Sequence, residues 1–499
     1  MCLTNHLYLN KNNSFIKLIF NLFLFIIIPA CAVGPNYVRP TAPAPTQYKE
    51  ASKNWLVAQP NDAIDRGTWW EIFRDPELNS LEAQLNISNQ TIAAAAASYQ
   101  QAQDLVDEAR SGYFPTIAAS YMVTRQKASN VSTSTGASTA GTSTTGSTTS
   151  SGAIPTRAPI TTHQWLLDGS WEPDLGGSVR RTVEASSANA QASGAQLANA
   201  RLSAQATLAE DYFSLRALDT DQKVLNDTVV SDQEILRITQ NKYNAGVSSL
   251  ADIVSAQSQV EVAQAAAINN GISRAQFEHA IAVLIGEPPE VFSQPYKPLT
   301  ETPPLIPVSV PSVLLERRPD IAQQERLVAQ ANAQIGIAES AYFPNLLLTA
   351  NASSTAVGSD LISAPVIGWS LGAQLAETIF DGGLRSAAVA ASKANYQATV
   401  ANYRQTVLAA FQDVEDNLAS LRILDQESTV QNQAAASAKL AFQLTMNEYK
   451  AGTVDYPTVL IAQVAAFNAE KNAADVNGLR MSSAVGLIKA LGGGWNGIL

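Results

Sequence analysis

The chain has 499 residues, of which 46% are hydrophobic and only 15% charged, and its 32 Lys+Arg against 43 Asp+Glu give a formal charge of −11. So acidic a chain offers no broad phosphate-neutralising surface, which excludes a sequence-independent nucleic-acid binder. Two cysteines (Cys2, Cys31) and three histidines (His6, His163, His279) without spaced partners leave no disulfide framework, no metal or cofactor site and no catalytic centre to expect.

Residues 1–30 hold Lys11 and Lys17, no acidic residue, and an apolar run from Leu18 to Ile28 broken only by Asn21. This predicts a secretory signal peptide, too short for a spanning helix. The run ends in Ile28-Pro29-Ala30-Cys31, which resembles a bacterial lipobox and makes Cys31 the candidate lipidation site. Pro29 departs from the usual pattern. Ala32 follows where an aspartate favours inner-membrane retention, so the expected destination is the outer membrane. Residues 31–66, proline-bearing, read as an extended strap.

A helix is predicted over 76–111. Two segments of period two follow, inside a hairpin predicted over 116–172. In the first, Ile117, Ala119, Tyr121 and Val123 share a face opposite Ser120, Thr124 and Gln126; in the second, Trp165, Leu167 and Trp171 oppose Gln164, Asp168 and Ser170. Strands of about ten residues suit a tilted membrane strand. Between them, residues 129–152 are Ser, Thr or Gly at 20 of 24 positions, a composition that cannot bury enough apolar surface to order itself. From 179 to 243 there is no proline, and 65 helical residues at a rise of about 1.5 Å each extend on the order of 100 Å. Gly246 marks a turn, and a return helix is predicted over 250–285. Eight prolines in 287–311 mark an irregular linker.

The same order then recurs. Asn241, Tyr243, Ala245, Gly246, Ala256 and Gln257 reappear 206 positions later as Asn447, Tyr449, Ala451, Gly452, Ala462 and Gln463, and Tyr113-Phe114-Pro115 reappears as Tyr342-Phe343-Pro344. The second copy, 312–499, has a helix over 319–340, a hairpin over 345–380, a long helix over 385–449 and a return helix over 457–491; the first copy occupies 67–286. In the second hairpin Leu346, Leu348, Ala350 and Ala352 face with Ile367, Trp369, Leu371 and Leu375. Val400, Val407, Val414 and Leu421 repeat every seven residues, a coiled-coil-like seam. Four strands cannot close a barrel, and lipid tolerates no open edge, so any membrane barrel built from them needs more than one chain.

Cys31 to Pro40 (CAVGPNYVRP), Trp70 to Leu81 (WEIFRDPELNSL), both Tyr-Phe-Pro triplets, Leu315 to Ile321 (LERRPDI) and both glycine turns carry a resemblance to the TolC-like outer-membrane efflux proteins, in particular their lipoprotein branch of OprM or NodT type. The resemblance implies a mainly α fold with a membrane β-barrel: a homotrimer sharing twelve strands, four per chain, continued by a long α-helical tunnel. It implies a periplasmic adaptor and an inner-membrane pump, of RND type, as partners, with outer-membrane lipid around the barrel. It places a periplasmic gate at the helix turns, with Tyr243, Asp252, Tyr449 and Asp455 as its residues. The second copy departs from the family at Ile461 and Val464, where relatives carry Asp and Arg. A solvated helix cap is the alternative for both aspartates. A structural coiled-coil envelope lipoprotein or adhesin would explain the long helices and the anchor but not the amphipathic hairpins. An envelope hydrolase finds no nucleophile paired with a base.

Overall fold

The computed structural model describes residues 33–42, 45, 47–50, 67–127, 159–300, 302–304, 306, 318–357 and 366–493. Cys31, the Ser/Thr/Gly segment 129–152 and residues 315–317 of the LERRPDI motif lie outside them. In chain order the elements are α1 (Pro76–Ser88), α2 (Gln90–Ser111), β1 (Thr116–Gln126), β2 (Ile160–Trp171), α3 (Ser178–Asn244), α4 (Leu250–Leu284), α5 (Pro319–Ser340), β3 (Asn345–Val357), β4 (Val366–Ala376), α6 (Leu384–Ala451) and α7 (Tyr456–Ala490). A short 3-10 turn at Trp69–Phe73 precedes α1. The chain forms two compact units.

One unit comprises residues 1–35, 107–183 and 335–390 and contains all four strands. They form one antiparallel sheet in the order β1-β2-β3-β4. Its central ladder, Thr162↔Val357 through Trp171↔Leu348, pairs the hairpin of the first repeat with that of the second. An aspartate starts each long helix: Asp174 accepts from the Val179 and Arg180 amides at 3.0 and 2.8 Å, and Asp381 accepts from the Gly383 amide at 2.9 Å. The segment after Cys31 is clasped here. Arg181, 3% exposed, donates to the carbonyls of Val33 and Gly34, each at 2.9 Å. Gly34 has φ +95°, and a side chain built on it would collide with the Gly336 backbone, so the crossing needs both glycines.

The other unit comprises residues 36–106, 184–334 and 391–499. Its core gathers Trp69, Trp70 and Phe73 with Leu78, Leu81 and Leu85 of α1, Leu208, Tyr212 and Phe213 of α3, and Val485 and Leu487 of α7. Val407 and Val414 are fully buried in it, and Val400 and Leu421 pack at its edge, so the seven-residue period does mark a buried seam.

The single helix expected over 76–111 is two. Asn89 breaks it with an extended backbone (φ −66°, ψ 120°), and its side chain accepts from the Ile92 amide at 2.9 Å while donating to the Leu284 carbonyl at 2.7 Å. One asparagine thus caps α2 and ties it to the end of α4, a tertiary contact that periodicity does not encode.

The proline-rich linker is pinned over its described part by a buried ionic hub. Arg216, 2% exposed, pairs with Glu77 at 2.7 Å and Asp219 at 3.1 Å and donates to the Pro295 carbonyl at 2.7 Å. Asp219 in turn accepts from Arg274 at 2.8 Å and from the Lys297 amide at 2.9 Å. Removing one member of such a hub leaves a buried charge uncompensated. Arg216→Ala is expected to lower stability by about 3 kcal/mol, read as a drop in the thermal midpoint by circular dichroism; an unchanged midpoint would refute the hub's role.

Candidate conduit wall and tip gate

The sheet register puts the sequence's two faces on one surface each. Ile117↔Gly169, Ala119↔Leu167 and Tyr121↔Trp165 continue across β2 into Leu167↔Ala352 and Trp171↔Leu348, and across β3 into Ala352↔Trp369 and Ala350↔Leu371. All the apolar positions predicted from alternation therefore lie on a common face. That face is bare: Ile117 is 70% exposed, Ile367 76%, Trp369 75% and Leu371 74%. A band of this size facing water is not a soluble surface, whereas facing hydrocarbon it is the normal outer wall of a barrel. Tyr121 packs in a tilted contact against Trp165 with ring centroids 4.5 Å apart, and its hydroxyl meets His163 Nδ1 at 2.7 Å, which gives that histidine a partner within the wall. The opposite face carries Thr, Ser, Gln, Asn351 and Asp168 together with Met122, Leu166 and Leu347; with its amide nitrogen turned toward Asp168, Asn351 donates to that carboxylate. No helix among the described residues is long and apolar enough to cross a membrane.

The helix turns repeat one design. Gly246 (φ 77°) and Gly452 (φ 84°) end α3 and α6, and each amide bonds back to a tyrosine carbonyl, Gly246 to Tyr243 at 2.8 Å and Gly452 to Tyr449 at 3.1 Å. The four predicted gate residues then diverge. Tyr449 is 2% exposed, and its hydroxyl meets Thr239 Oγ1 at 2.8 Å, while the Lys242 ammonium lies 3.7 Å from its ring centroid and also donates to its carbonyl. Tyr243 is 42% exposed. Asp252 closes a capping box with Ser249: its carboxylate accepts from the Ser249 amide at 3.0 Å and the Ser248 hydroxyl at 2.8 Å. Asp455 caps α7, accepting from the Thr458 amide at 3.2 Å and from the Thr458 hydroxyl.

Electrostatics tie three of the four together. The Ser249 amide above all, and then the Ser248 hydroxyl, hold the Asp252 carboxyl below the usual carboxylate range. Thr458 does the same for Asp455, its hydroxyl contributing most. Asp252 is close enough to raise the Tyr449 phenol, on which burial acts most strongly, and to oppose ionisation of Asp455. Tyr243 stands apart from this group. Both aspartates cap helices that begin at the turns, as the alternative reading expected.

Thr239 and Lys242 were not singled out by the sequence, although the repeat could have flagged the first, since Thr445 follows it by 206 positions. Around Tyr449 the packing is apolar, with Ile235, Ile238, Ala256, Tyr456 and Val459 in one cluster, while Ile461 and Val464 stand exposed. Asp232, 2% exposed beside that cluster, was also unforeseen; burial pushes its carboxyl up to about 6, against a hydrogen bond from Gln463 that lowers it. A carboxyl whose pKa rises on folding adds stability below its unfolded value near 4 and loses it as pH rises through 6. The tip is therefore expected to gain stability from pH 7.5 to 5.5, and Asp232→Asn should abolish that gain in hydrogen exchange of the last turns of α3 and the first turns of α7, away from Asp211 and Asp221, which burial also raises. An identical pH response in the variant would refute it.

Among known families, the description "Outer membrane efflux protein" matches residues 82–287 and 310–493. The chain belongs to the outer membrane efflux protein family. This outer membrane efflux protein is 30% identical over 475 residues to the pyoverdine export outer membrane protein OpmQ of Pseudomonas aeruginosa, covering 94% of this chain and 95% of that one. It is 27% identical over 483 residues to the probable outer membrane lipoprotein SilC of Salmonella typhimurium, covering 96% and 99%. Among solved structures the outer-membrane channel OprN matches with a TM-score of 0.79 and 26% identity over 93% of this chain and 100% of that one. The protein is an outer-membrane channel component of an efflux system, mainly helical with strands that contribute to a membrane barrel.

Proposed function

We propose that three copies of the chain close one twelve-stranded barrel and a helical tunnel, forming a passive conduit from periplasm to exterior. The observation that carries this is the sheet itself: four strands with a common, largely exposed apolar face, and with β1 and β4 each paired on one side only among the described residues. Lipid tolerates neither open edge, and closure by identical copies satisfies both. An inner-membrane pump of RND type supplies the energy through a periplasmic adaptor, and no residue of the chain performs catalysis. In this reading 67–286 and 312–499 are the two repeats and 287–311 the linker between them, while residues 51–66 of the strap and 129–152 lie outside the described residues.

Cys31 carries the lipid. The Arg181 clasp on Val33 and Gly34, two residues further on, holds the chain beside its anchor. Mass spectrometry of the mature N-terminus should find acylated Cys31; an unmodified cysteine there would overturn the anchor. Tyr243, Asp252, Tyr449 and Asp455 make up the periplasmic gate, Tyr449 from within the packed tip and the two aspartates from the caps of the return helices. The conduit itself is tested by planar-bilayer recording together with light scattering of the purified protein. Threefold mass and discrete conductance steps are expected, and a monomer that inserts no channel would overturn the reading.

A further inference from the structure

The four strands hold two residues of fixed charge, Asp168 and Arg125. Asp168 lies on the face opposite the apolar one, where Asn351 donates to it. Arg125 lies on the apolar face itself. It stands opposite Thr161 in the ladder, two positions beyond Val123↔His163 and four beyond Tyr121↔Trp165, so alternation groups it with Ile117, Ala119, Tyr121 and Val123. It is exposed, with no ion pair or hydrogen bond among the described residues.

A cation on a lipid-facing wall is strongly destabilising at the middle of the hydrocarbon and tolerated at its edges. Arg125 stands at an edge. It follows Ile117 by eight residues, which is about 27 Å along the strand and roughly 20 Å of height at a tilt of about 40°. Because β1 follows α2, Arg125 is near the end of the strand farthest from that helix, which in the barrel reading is the exterior boundary.

The two ends of the sheet differ in charge. At the helical end cations are matched: Arg110 pairs with Asp107 at 3.1 Å and Arg385 with Asp381 at 2.6 Å. At the far end Lys127 follows Arg125, equally exposed and equally unmatched among the described residues, and the sequence holds no acidic residue from 109 to 167. Diagonal to Arg125 on β2 stands His163, its Nδ1 2.7 Å from the Tyr121 hydroxyl. If the phenol donates, Nε2 keeps the ring proton; if Nδ1 donates, the phenol keeps its own. Either tautomer leaves the pair one donor to give.

We propose that Arg125, Lys127, His163 and Tyr121 form a docking surface for phosphorylated glycolipid of the outer leaflet, taking the phosphates of lipid A. A guanidinium grips phosphate through paired N–H donors, and the lysine adds a second cation. Lipid A carries two phosphates on one disaccharide and can meet both cations, whereas a phospholipid brings one. Its acyl chains then lie along the bare face below, past Val123, Trp165 and Ile117. The assignment goes beyond the barrel reading and rests on it.

Native mass spectrometry of the full-length protein, extracted in detergent and stripped of bound lipid, tests the surface with diphosphoryl lipid A, dephosphorylated lipid A and phosphatidylglycerol as probes. Wild type is expected to bind diphosphoryl lipid A at the lowest half-saturation. Arg125→Gln/Lys127→Gln should raise that value about tenfold or more, the worth of one charge-assisted hydrogen bond. Dephosphorylated lipid A should bind wild type and variant alike, and Arg125→Lys should recover part of the loss by keeping the charge without the paired donors. Equal binding of diphosphoryl lipid A by wild type and the double variant, both of threefold mass, would overturn the surface and leave the barrel in place. Phosphatidylglycerol bound as tightly would overturn lipid A as the occupant. Loss of threefold mass in the lipid-free double variant would show the cations answering a neighbouring copy and overturn the proposal as well. Wild type of monomer mass would overturn the three-copy reading and the surface with it.

Discussion

Glu82→Leu is expected to stabilise the protein by about 4 kcal/mol at pH 7.5, and by progressively less as pH falls toward 4.5. Glu82 is 0% exposed on the face of α1 that also presents Leu78, Leu81 and Leu85 to the core, and neither of its carboxylate oxygens has a hydrogen-bond partner among the described residues. Burial alone pushes its carboxyl up to about 9 from 4.5. The side chain is therefore neutral in the folded state and ionised in the unfolded one through the physiological range. Its stabilising contribution is fully present below pH 4.5 and is lost as pH rises through 9. Leucine of similar volume removes this linkage and the uncompensated polar burial together. Thermal melts of wild type and variant at pH 5 and pH 8 decide it: the midpoints should diverge at pH 8 and converge at pH 5. A variant no more stable at pH 8 would show that Glu82 has found a partner in the assembled protein.

Replacing Asp252 and Asp455 together is expected to lower the cation preference of the channel several-fold. Both carboxyls lie below the usual range and are ionised throughout the neutral range, and they sit at the turns where the helices reverse. Both also cap helices, so alanine removes a cap and a charge at once, at a cap cost of about 1 kcal/mol each. Asparagine separates the two effects, being as good an N-cap without the charge. Asp252→Asn/Asp455→Asn should therefore lose cation preference with the tip's stability intact, while the alanine pair loses both. The wild-type preference should itself fade as salt shortens the screening length from about 10 Å at 0.1 M to about 3 Å at 1 M. Unchanged reversal potentials in both double variants would move the gate elsewhere. With Ile461 and Val464 exposed in place of charged residues, the apolar cluster around Tyr456 and Val459 is expected to carry more of the closure in the proposed gate.

Much of the wall was legible because its physics is local. Alternation along a strand fixes which side chains share a face, and the observed register preserves the assignment at Ile117, Trp165, Leu348 and Trp369 without exception. Helix caps at Asp252 and Asp455 were equally readable, because a cap needs only neighbours in sequence. The break at Asn89 was not, since its side chain is satisfied by the end of α4, nearly two hundred residues away. Nor was Glu82, which by type belongs on a solvated face and lies in the core because Leu78, Leu81 and Leu85 orient the helix.

The sequence by itself determined the repeat, the two amphipathic hairpins, the long proline-free helices and the turns, since each follows from periodicity or from residues a few positions apart. Only the tertiary structure decided that the two hairpins join through β2 and β3 into one sheet, and that Arg216 anchors the linker. Only it separated the two tyrosines of the repeated turn, burying Tyr449 against Thr239 and leaving Tyr243 bare. Identical local motifs cannot encode that difference: it arises from which neighbour each helix end meets, and one chain supplies a neighbour for Tyr449 alone.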